Sequence, residues 1–130
     1  MRYLGIDYGS KRVGVALSDE MGTMAFPKMV LQNNTHLIET LTKICLDEGV
    51  EEIVLGESRD YEQRENSIME QVHQFKRELE EITQLTIHLE PEFMSSQQAE
   101  MIQGKNDMLD ASAAAIILQS YLDKQKFKNK

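Results

Sequence analysis

Hydrophobic and polar residues alternate over the first third of the chain in a pattern that predicts three strands. The segment RYLGIDY is rich in β-forming residues, GSKR supplies a turn, and VGVALS resumes the alternation, so residues 2–18 are predicted to form a hairpin. Gly22 and Pro27 bracket a third strand near residues 28–31, which the polar NNT segment ends. The chain is therefore predicted to begin with a hairpin and a further strand.

From Thr35 onward the hydrophobic spacing changes to the period of a helix. Leucine, isoleucine and cysteine residues recur at this spacing as far as Gly49, a residue typical of helix ends. The short run Ile53–Leu55, which Gly56 ends, is typical of a central strand in a parallel sheet. A helix followed by a buried strand is predicted here.

The second half of the chain repeats this alternation of helix and strand. A helix is predicted from an apolar stripe formed by Ile68, Val72, Phe75, Leu79 and Ile82. TIHLEPE, residues 86–92, is the next predicted strand, and Ser95 with Gln98 forms a capping box that predicts a short helix through Met101. The segment 107–124 is apolar nearly all round, which predicts a buried final helix.

Composition narrows the class of protein that this pattern describes. Hairpin strands followed by alternating helices and strands predict a mixed α/β sheet, and the length fits one domain spanning 1–130. The single cysteine, Cys45, excludes a disulfide framework and a CxxC metal site. No apolar run approaches the roughly 18 residues that a membrane span needs. We therefore expect a soluble cytoplasmic protein without a membrane partner.

Charge is distributed unevenly along the chain, whose net charge is −8. Between Asp47 and Glu100 there are 15 acidic residues and four basic ones, so the middle of the chain should repel phosphates. Positive charge collects instead at Lys11 and Arg12 and in the tail that begins at Lys124. We expect that tail to be a solvated helix end.

Asp7 places a carboxylate in a strand whose other residues are typical of a core. Strand alternation puts it on the same face as Tyr3 and Gly5. Burying a charged carboxylate without a partner is costly, so Asp7 needs a cation, hydrogen bonds or a position at an open sheet end. A structural role, such as accepting hydrogen bonds from the turn amides of GSKR, and a catalytic role both fit this residue.

Two later acids raise the same question. Asp110 lies on a helical stripe of core-type residues, which are Ala114, Ile117 and Tyr121. The alternative to a functional Asp110 is an acid that complements the helix dipole. Glu92 ends a predicted strand. Glu90 belongs to the same face of that strand and is the alternative candidate for the acid near its carboxyl end. Open α/β sheets carry their sites at the carboxyl ends of strands, and acids that converge there favour Mg²⁺ or Mn²⁺.

Three motifs, in the order found here, resemble the YqgF/RuvX family. They are GIDYGSKRVGVALSD near the N-terminus, EPEFMSSQQAE in the position of that family's DERLTTxxAE, and LDASAAAIILQSYLD at the end. The resemblance implies an RNase H-like fold, with a mixed five-stranded sheet, an antiparallel N-terminal hairpin and helices on both faces. It also implies a nuclease, described in that family as a Holliday-junction resolvase and as an enzyme that trims the 5′ end of precursor 16S ribosomal RNA.

The family's three catalytic acids fall on Asp7, Glu92 and Asp110. The resemblance implies two Mg²⁺ or Mn²⁺ ions roughly 4 Å apart, with Asp7 bridging both and the other two acids each completing one coordination shell. Lys11 and Arg12 are then expected to contact phosphates of the substrate, with an exposed turn as the alternative.

The chain departs from the family pattern in three places. LGESRDYEQREN replaces a VGLP segment and an Asn-rich loop, which makes Glu57 a candidate further metal ligand, with a solvated glutamate as the alternative. Pro91 and Phe93 replace the Asp and Arg of the second motif, and the basic loop before the last helix is shortened to MIQGKND. The short loop and the acidic composition weaken the case for strong nucleic-acid binding.

Two other functional classes share parts of this pattern. The first motif also resembles the phosphate-binding hairpin of actin-like ATPases and sugar kinases, but a second domain and a later Gly-rich loop are not found. An inactive family member that serves as an interaction module, at ribosomal precursor particles for example, is the other class. The expected partner is a nucleic acid, as precursor rRNA or branched DNA. Both a monomer and a homodimer fit, and symmetric cutting of branched DNA would favour the homodimer.

Overall fold

The computed structural model describes residues 1–9, 11–58, 67–92 and 109–128. Its strands are β1 (Tyr3–Tyr8), β2 (Arg12–Ser18), β3 (Ala25–Gln32), β4 (Glu52–Ser58) and β5 (Thr86–Glu92). They form one five-stranded sheet in the order β3-β2-β1-β4-β5. β1 pairs antiparallel with β2 and parallel with β4. The predicted mixed sheet and its antiparallel N-terminal hairpin are therefore confirmed.

Three helices accompany the sheet in the described part of the chain. They are α1 (Leu37–Glu48), α2 (Ser67–Thr83) and α3 (Leu109–Lys128). α1 ends where the sequence predicts, because Gly49 takes a left-handed conformation with φ of 66°. The helix that Ser95 is predicted to cap lies outside the described residues. Among the helices that the structure describes, none is long and apolar enough to cross a membrane.

The sheet has a helical layer on each face. Leu4 and Ile6 of β1 are fully buried in a cluster with aliphatic residues of α1 and α2. Tyr3 belongs to the second cluster, which α3 covers, and Gly5 lies directly beneath that helix. Successive residues of β1 therefore point to opposite faces, as the sequence predicts.

Two details of the packing differ from the sequence prediction. Ile82 is predicted on the buried stripe of α2 but is 58% exposed. The prediction for Ile82 is therefore wrong. The residue lies in the last turn of α2 and about 60° round the helix from Leu79, at the edge of the apolar stripe. β3 begins at Ala25, earlier than predicted, and contains Pro27. Proline is tolerated there because β3 is an edge strand whose pairing with β2 shifts register at this point.

Candidate active site

The carboxyl ends of β1, β4 and β5 meet at one edge of the sheet, because these three strands are parallel. Asp7 is the penultimate residue of β1 and is half-buried. At the ends of the other two strands, Glu57 pairs with Pro91 and Ser58 pairs with Glu92. The backbone therefore brings the predicted acids of the sheet to the same edge.

Helix α3 crosses this sheet in the direction opposite to β1. At the start of β1, the rings of Tyr3 and Tyr121 are in edge contact, with centroids 5.8 Å apart. Two residues further along the strand, a Cβ added to Gly5 would lie 2.7 Å from Leu118 Cβ and 3.1 Å from the carbonyl oxygen of Ala114. Residue numbers in α3 thus fall as those in β1 rise, and only glycine permits this close approach.

This orientation places the beginning of α3 beside the end of β1. A strand advances about 7 Å over two residues, a distance that about four or five residues of a helix cover. Counting back from the two contacts at Gly5, which are Leu118 and Ala114, Asp7 falls level with residues between about 109 and 114 of α3, a range that includes Asp110. The topology therefore brings the backbone of two acids from opposite ends of the sequence toward the same end of the sheet.

Strand alternation sorts the predicted acids by face. Asp7 has the parity of Gly5 and so belongs to the α3 face. On β5, Glu92 has the parity of His88, whose ring stacks on Tyr121 of α3. Glu57, by contrast, has the parity of residues in β4 that are buried against α1 and α2, namely Ile53 and Leu55. By backbone parity alone, Glu92 falls with Asp7 on the α3 face and Glu57 falls on the other face, although β4 is the strand that lies next to β1.

Three of the predicted ligands have only their backbone within the described structure. The side chains of Glu57, Glu92 and Asp110 lie outside the described residues, and their assignment as metal ligands stays a prediction. Within the part of the chain whose side chains are described, no three His, Cys, Asp or Glu residues come together as a metal site. Asp7 is the one member of the predicted set whose side chain belongs to that part.

Glu90, the competitor of Glu92 for the end of β5, is held in an ion pair. Its side chain is only 3% exposed, and Lys124 of α3 donates hydrogen bonds to its two oxygens at 2.5 and 3.1 Å. A buried carboxylate needs such a partner, so the ion pair with Lys124 explains Glu90 without a metal ion. Lys124 is exposed, as expected for the tail, but its ammonium also pairs with a buried acid, which the sequence did not indicate.

Two basic residues lie where the chain returns from β1 into β2. Lys11 and Arg12 are both exposed. Asn33, at the end of β3, holds this turn, because its backbone N–H donates to the Lys11 carbonyl at 2.9 Å and its side-chain nitrogen donates to the Gly9 carbonyl at 2.7 Å. Sequence reasoning missed the role of Asn33, although asparagine after a strand is a common signal for side-chain hydrogen bonding to the backbone.

A second polar cluster lies under the last part of α3, toward the opposite end of β1. His88 Nε2 is 2.7 Å from Glu52 Oε1, and the His88 ring stacks on Tyr121 with centroids 5.0 Å apart. Burial, together with nearby Tyr3 and Glu52, raises the pKa of Tyr121 to about 12. Through these contacts the cluster joins α3 to β1 and β5.

Comparison with known proteins gives one consistent family. A family model described as "RuvX: Holliday junction resolvase" matches residues 1–124. Curated relatives named "Putative pre-16S rRNA nuclease" include one from Nitratidesulfovibrio vulgaris, 35% identical over 127 residues that cover 96% of this chain and 86% of the relative. Another, from Lawsonia intracellularis, is 34% identical over 97% of this chain and 96% of the relative.

A solved structure supports the fold independently of sequence. T. thermophilus RuvC in complex with a Holliday junction substrate matches with a TM-score of 0.65, covering 97% of this chain and 96% of that one. The two sequences are 15% identical, so the likeness is one of fold. The expected RNase H-like fold is thereby confirmed.

Proposed function

The chain belongs to the RuvX family, described as Holliday junction resolvases, and we propose that it is a divalent-metal-dependent nuclease that trims the 5′ end of precursor 16S rRNA. One observation carries the proposal. It is the direction of α3, which runs against β1, so that the helix begins toward the end of the sheet where β1 and β5 finish; this supports a common site for Asp7, Glu92 and Asp110.

This set of acids fits a site for Mg²⁺ or Mn²⁺. Carboxylate oxygens are the ligands these hard cations prefer, and carboxylates gathered at one sheet edge repel one another unless cations lie between them. Asp7, Glu92 and Asp110 would hold the ions, and Glu57 is a further candidate from the end of β4. Bound ions of this kind activate water and neutralise the charge that develops on a phosphate during hydrolysis.

The chain's own residues would orient the substrate at this edge. Lys11 precedes β2 and Arg12 is its first residue, so both lie at the end of the hairpin that also carries Asp7, where their positive charges suit backbone phosphates of a nucleic acid. Asn33 donates hydrogen bonds to the backbone carbonyls of Gly9 and Lys11, which ties the chain on either side of position 10 to the end of β3. In this scheme the turn binds the substrate and the acids hold the ions that promote hydrolysis.

Precursor ribosomal RNA is the proposed substrate because the curated relatives that align with nearly all of this chain are named as pre-16S rRNA nucleases. Cleavage of branched DNA is the second candidate, since the matching family model is described as a Holliday junction resolvase. Symmetric cutting of a four-way junction needs two sites related by a dimer axis. A dimer in solution together with junction cleavage would therefore favour the second candidate.

The test is cleavage of a 5′-extended precursor 16S rRNA fragment and of a four-way DNA junction, each with Mg²⁺ or Mn²⁺. Asp7→Asn should abolish metal-dependent cleavage while the protein remains folded. Asp47→Asn is the matched control, because Asp47 is an exposed aspartate on α1 away from the sheet edge. Equal cleavage by the two variants would overturn the site, and wild-type protein that cleaves neither substrate would favour an interaction module.

A further inference from the structure

A polar cavity of about 270 Å³ opens on the other face of the sheet from Asp7. We call it the amide cavity, because four carboxamide side chains line it together with two aromatic rings. These residues are Tyr8, Asn33, Asn34, Gln71, Gln74 and Phe75. The cavity lies between α2 and the segment that joins β3 to α1.

Two aromatic rings form one wall of the amide cavity. The centroids of Tyr8 and Phe75 are 4.7 Å apart and their planes are tilted by 37°. Phe75 is buried, whereas Tyr8 is half-buried and lines the open space. Tyr8 directly follows Asp7 in β1, so this wall belongs to the same edge of the sheet as the proposed active site.

The polar rim of the cavity is held by local hydrogen bonds. Asn34 Oδ1 accepts the His36 N–H at 2.9 Å, so this hydrogen bond uses the acceptor end of the Asn34 carboxamide. Gln74 Nε2 donates to Glu78 Oε1 at 3.2 Å, which orients a carboxamide and a carboxylate side by side. Carboxamides both donate and accept hydrogen bonds, as the edges of nucleobases do.

The charge of the residues that line the amide cavity favours a nucleobase over a phosphate. Among the described residues that line it, none is lysine or arginine, and Glu78 contributes a carboxylate. A phosphate would be repelled, whereas a neutral heterocycle could stack on Tyr8 and hydrogen-bond to the rim. The volume falls just below the range of sites for drug-sized ligands, which suits a group as small as one base.

We propose that the amide cavity binds one unpaired nucleobase of the nucleic-acid strand whose backbone is cleaved at the Asp7 edge. The inference rests on the proposed function, since it assigns a subsite to that substrate. A strand that passes over the end of β1 could place a phosphate near Asp7 and an adjacent base against Tyr8. The cavity would then favour single-stranded RNA over fully paired nucleic acid, because a paired base cannot enter it.

The experiment compares a double variant with a matched control. Gln71→Ala with Gln74→Ala removes two rim carboxamides at exposed helical positions, where alanine preserves the helix. Gln32→Ala with Gln125→Ala removes two carboxamides outside the cavity lining. Loss of two hydrogen bonds should raise KM for a single-stranded precursor RNA about tenfold in the rim variant, with kcat nearly unchanged. The control should match the wild type.

A titration that needs no cleavage separates this inference from the proposed function. Each of the four ribonucleosides is added at millimolar concentration while amide NMR signals are followed, and the signals of Asn34, Gln71 and Gln74 are expected to shift. An absence of shifts there, or an unchanged KM in the rim variant, would overturn the inference even if Asp7→Asn abolishes cleavage. Shifts without a change in KM would identify a free-nucleoside site and reject the assignment to the substrate strand.

Discussion

The two faces of the sheet are packed by different means. Against α1 and α2, aliphatic side chains such as Leu4, Ile6 and Leu41 fill the space between the layers. Against α3, the absence of a side chain at Gly5 sets how closely the helix approaches. Lost volume on the first face costs stability. On the second face, we expect an added side chain also to shift α3, and with it the backbone of Asp110, relative to the end of β1.

The largest loss of stability is expected on the face of α1 and α2. Leu41 is fully buried there, so Leu41→Ala should lower the free energy of unfolding by about 2 to 5 kcal/mol through the cavity it leaves. Urea denaturation measures this change. Cleavage per folded molecule should stay close to that of the wild type, and a severe loss of cleavage in folded protein would break the proposed division between the two faces.

Gly5→Ala should cost less stability and more activity. The added Cβ meets Leu118 and the α3 backbone, an overpacking that costs about 1 to 3 kcal/mol. Because α3 must shift, cleavage should fall about 10- to 100-fold at a temperature where the variant is folded. Leu41→Ala serves as the control for stability alone. A Gly5→Ala variant with normal cleavage would show that the position of α3 does not limit the reaction.

Removal of Lys124 tests the polar side of the α3 face. Lys124→Met leaves Glu90 buried without its cation, so the free energy of unfolding should fall by about 1 to 3 kcal/mol. Lys43→Met, which removes an exposed lysine from α1, is the matched control and should change it little. Thermal denaturation of the two variants gives the comparison, and equal stabilities would mean that the ion pair contributes nothing.

The smallest effect is a change in pH dependence at Tyr121. Its pKa is raised to about 12 by burial and by nearby Tyr3 and Glu52, so the folded protein keeps this proton through a range in which the unfolded chain, with a pKa near 10, loses it. The neutral phenol therefore contributes stability below about pH 10 that is lost as the pH rises toward 12. In alkaline denaturation, the free energy of unfolding of Tyr121→Phe should fall less than that of the wild type between about pH 10 and pH 12. The same dependence on pH in both proteins would contradict a raised pKa for Tyr121.

Much of the fold could be predicted because hydrophobic alternation and helical spacing are local properties. The hairpin, the central strand after Gly49 and the buried faces of β1 all follow from residues that are neighbours in the sequence. Ile82 was misplaced because a helical stripe does not reveal where the helix leaves the sheet. Pro27 lies within β3 because the tolerance of an edge strand for proline depends on strand order, which appears only in three dimensions.

For the candidate site, the sequence supplies the acids but not the contacts that surround them. Asp7, Glu92 and Asp110 stand out as acids in apolar surroundings, and the family resemblance assigns them a common role. The Glu90–Lys124 pair joins residues 34 positions apart and the stacking of His88 on Tyr121 links β5 to α3, so no local pattern indicates either contact. Such contacts depend on how α3 lies across the sheet, which the sequence does not state.

The most direct test of the central claim is calorimetric titration of Mn²⁺ into the wild type and into Asp7→Asn, Asp110→Asn and Asp47→Asn, in the presence of a short non-cleavable RNA that can complete the metal site. We expect the wild type and Asp47→Asn to bind Mn²⁺ alike and binding to be lost in both Asp7→Asn and Asp110→Asn. Undiminished binding in those two variants would contradict a metal site formed where the end of β1 meets the start of α3.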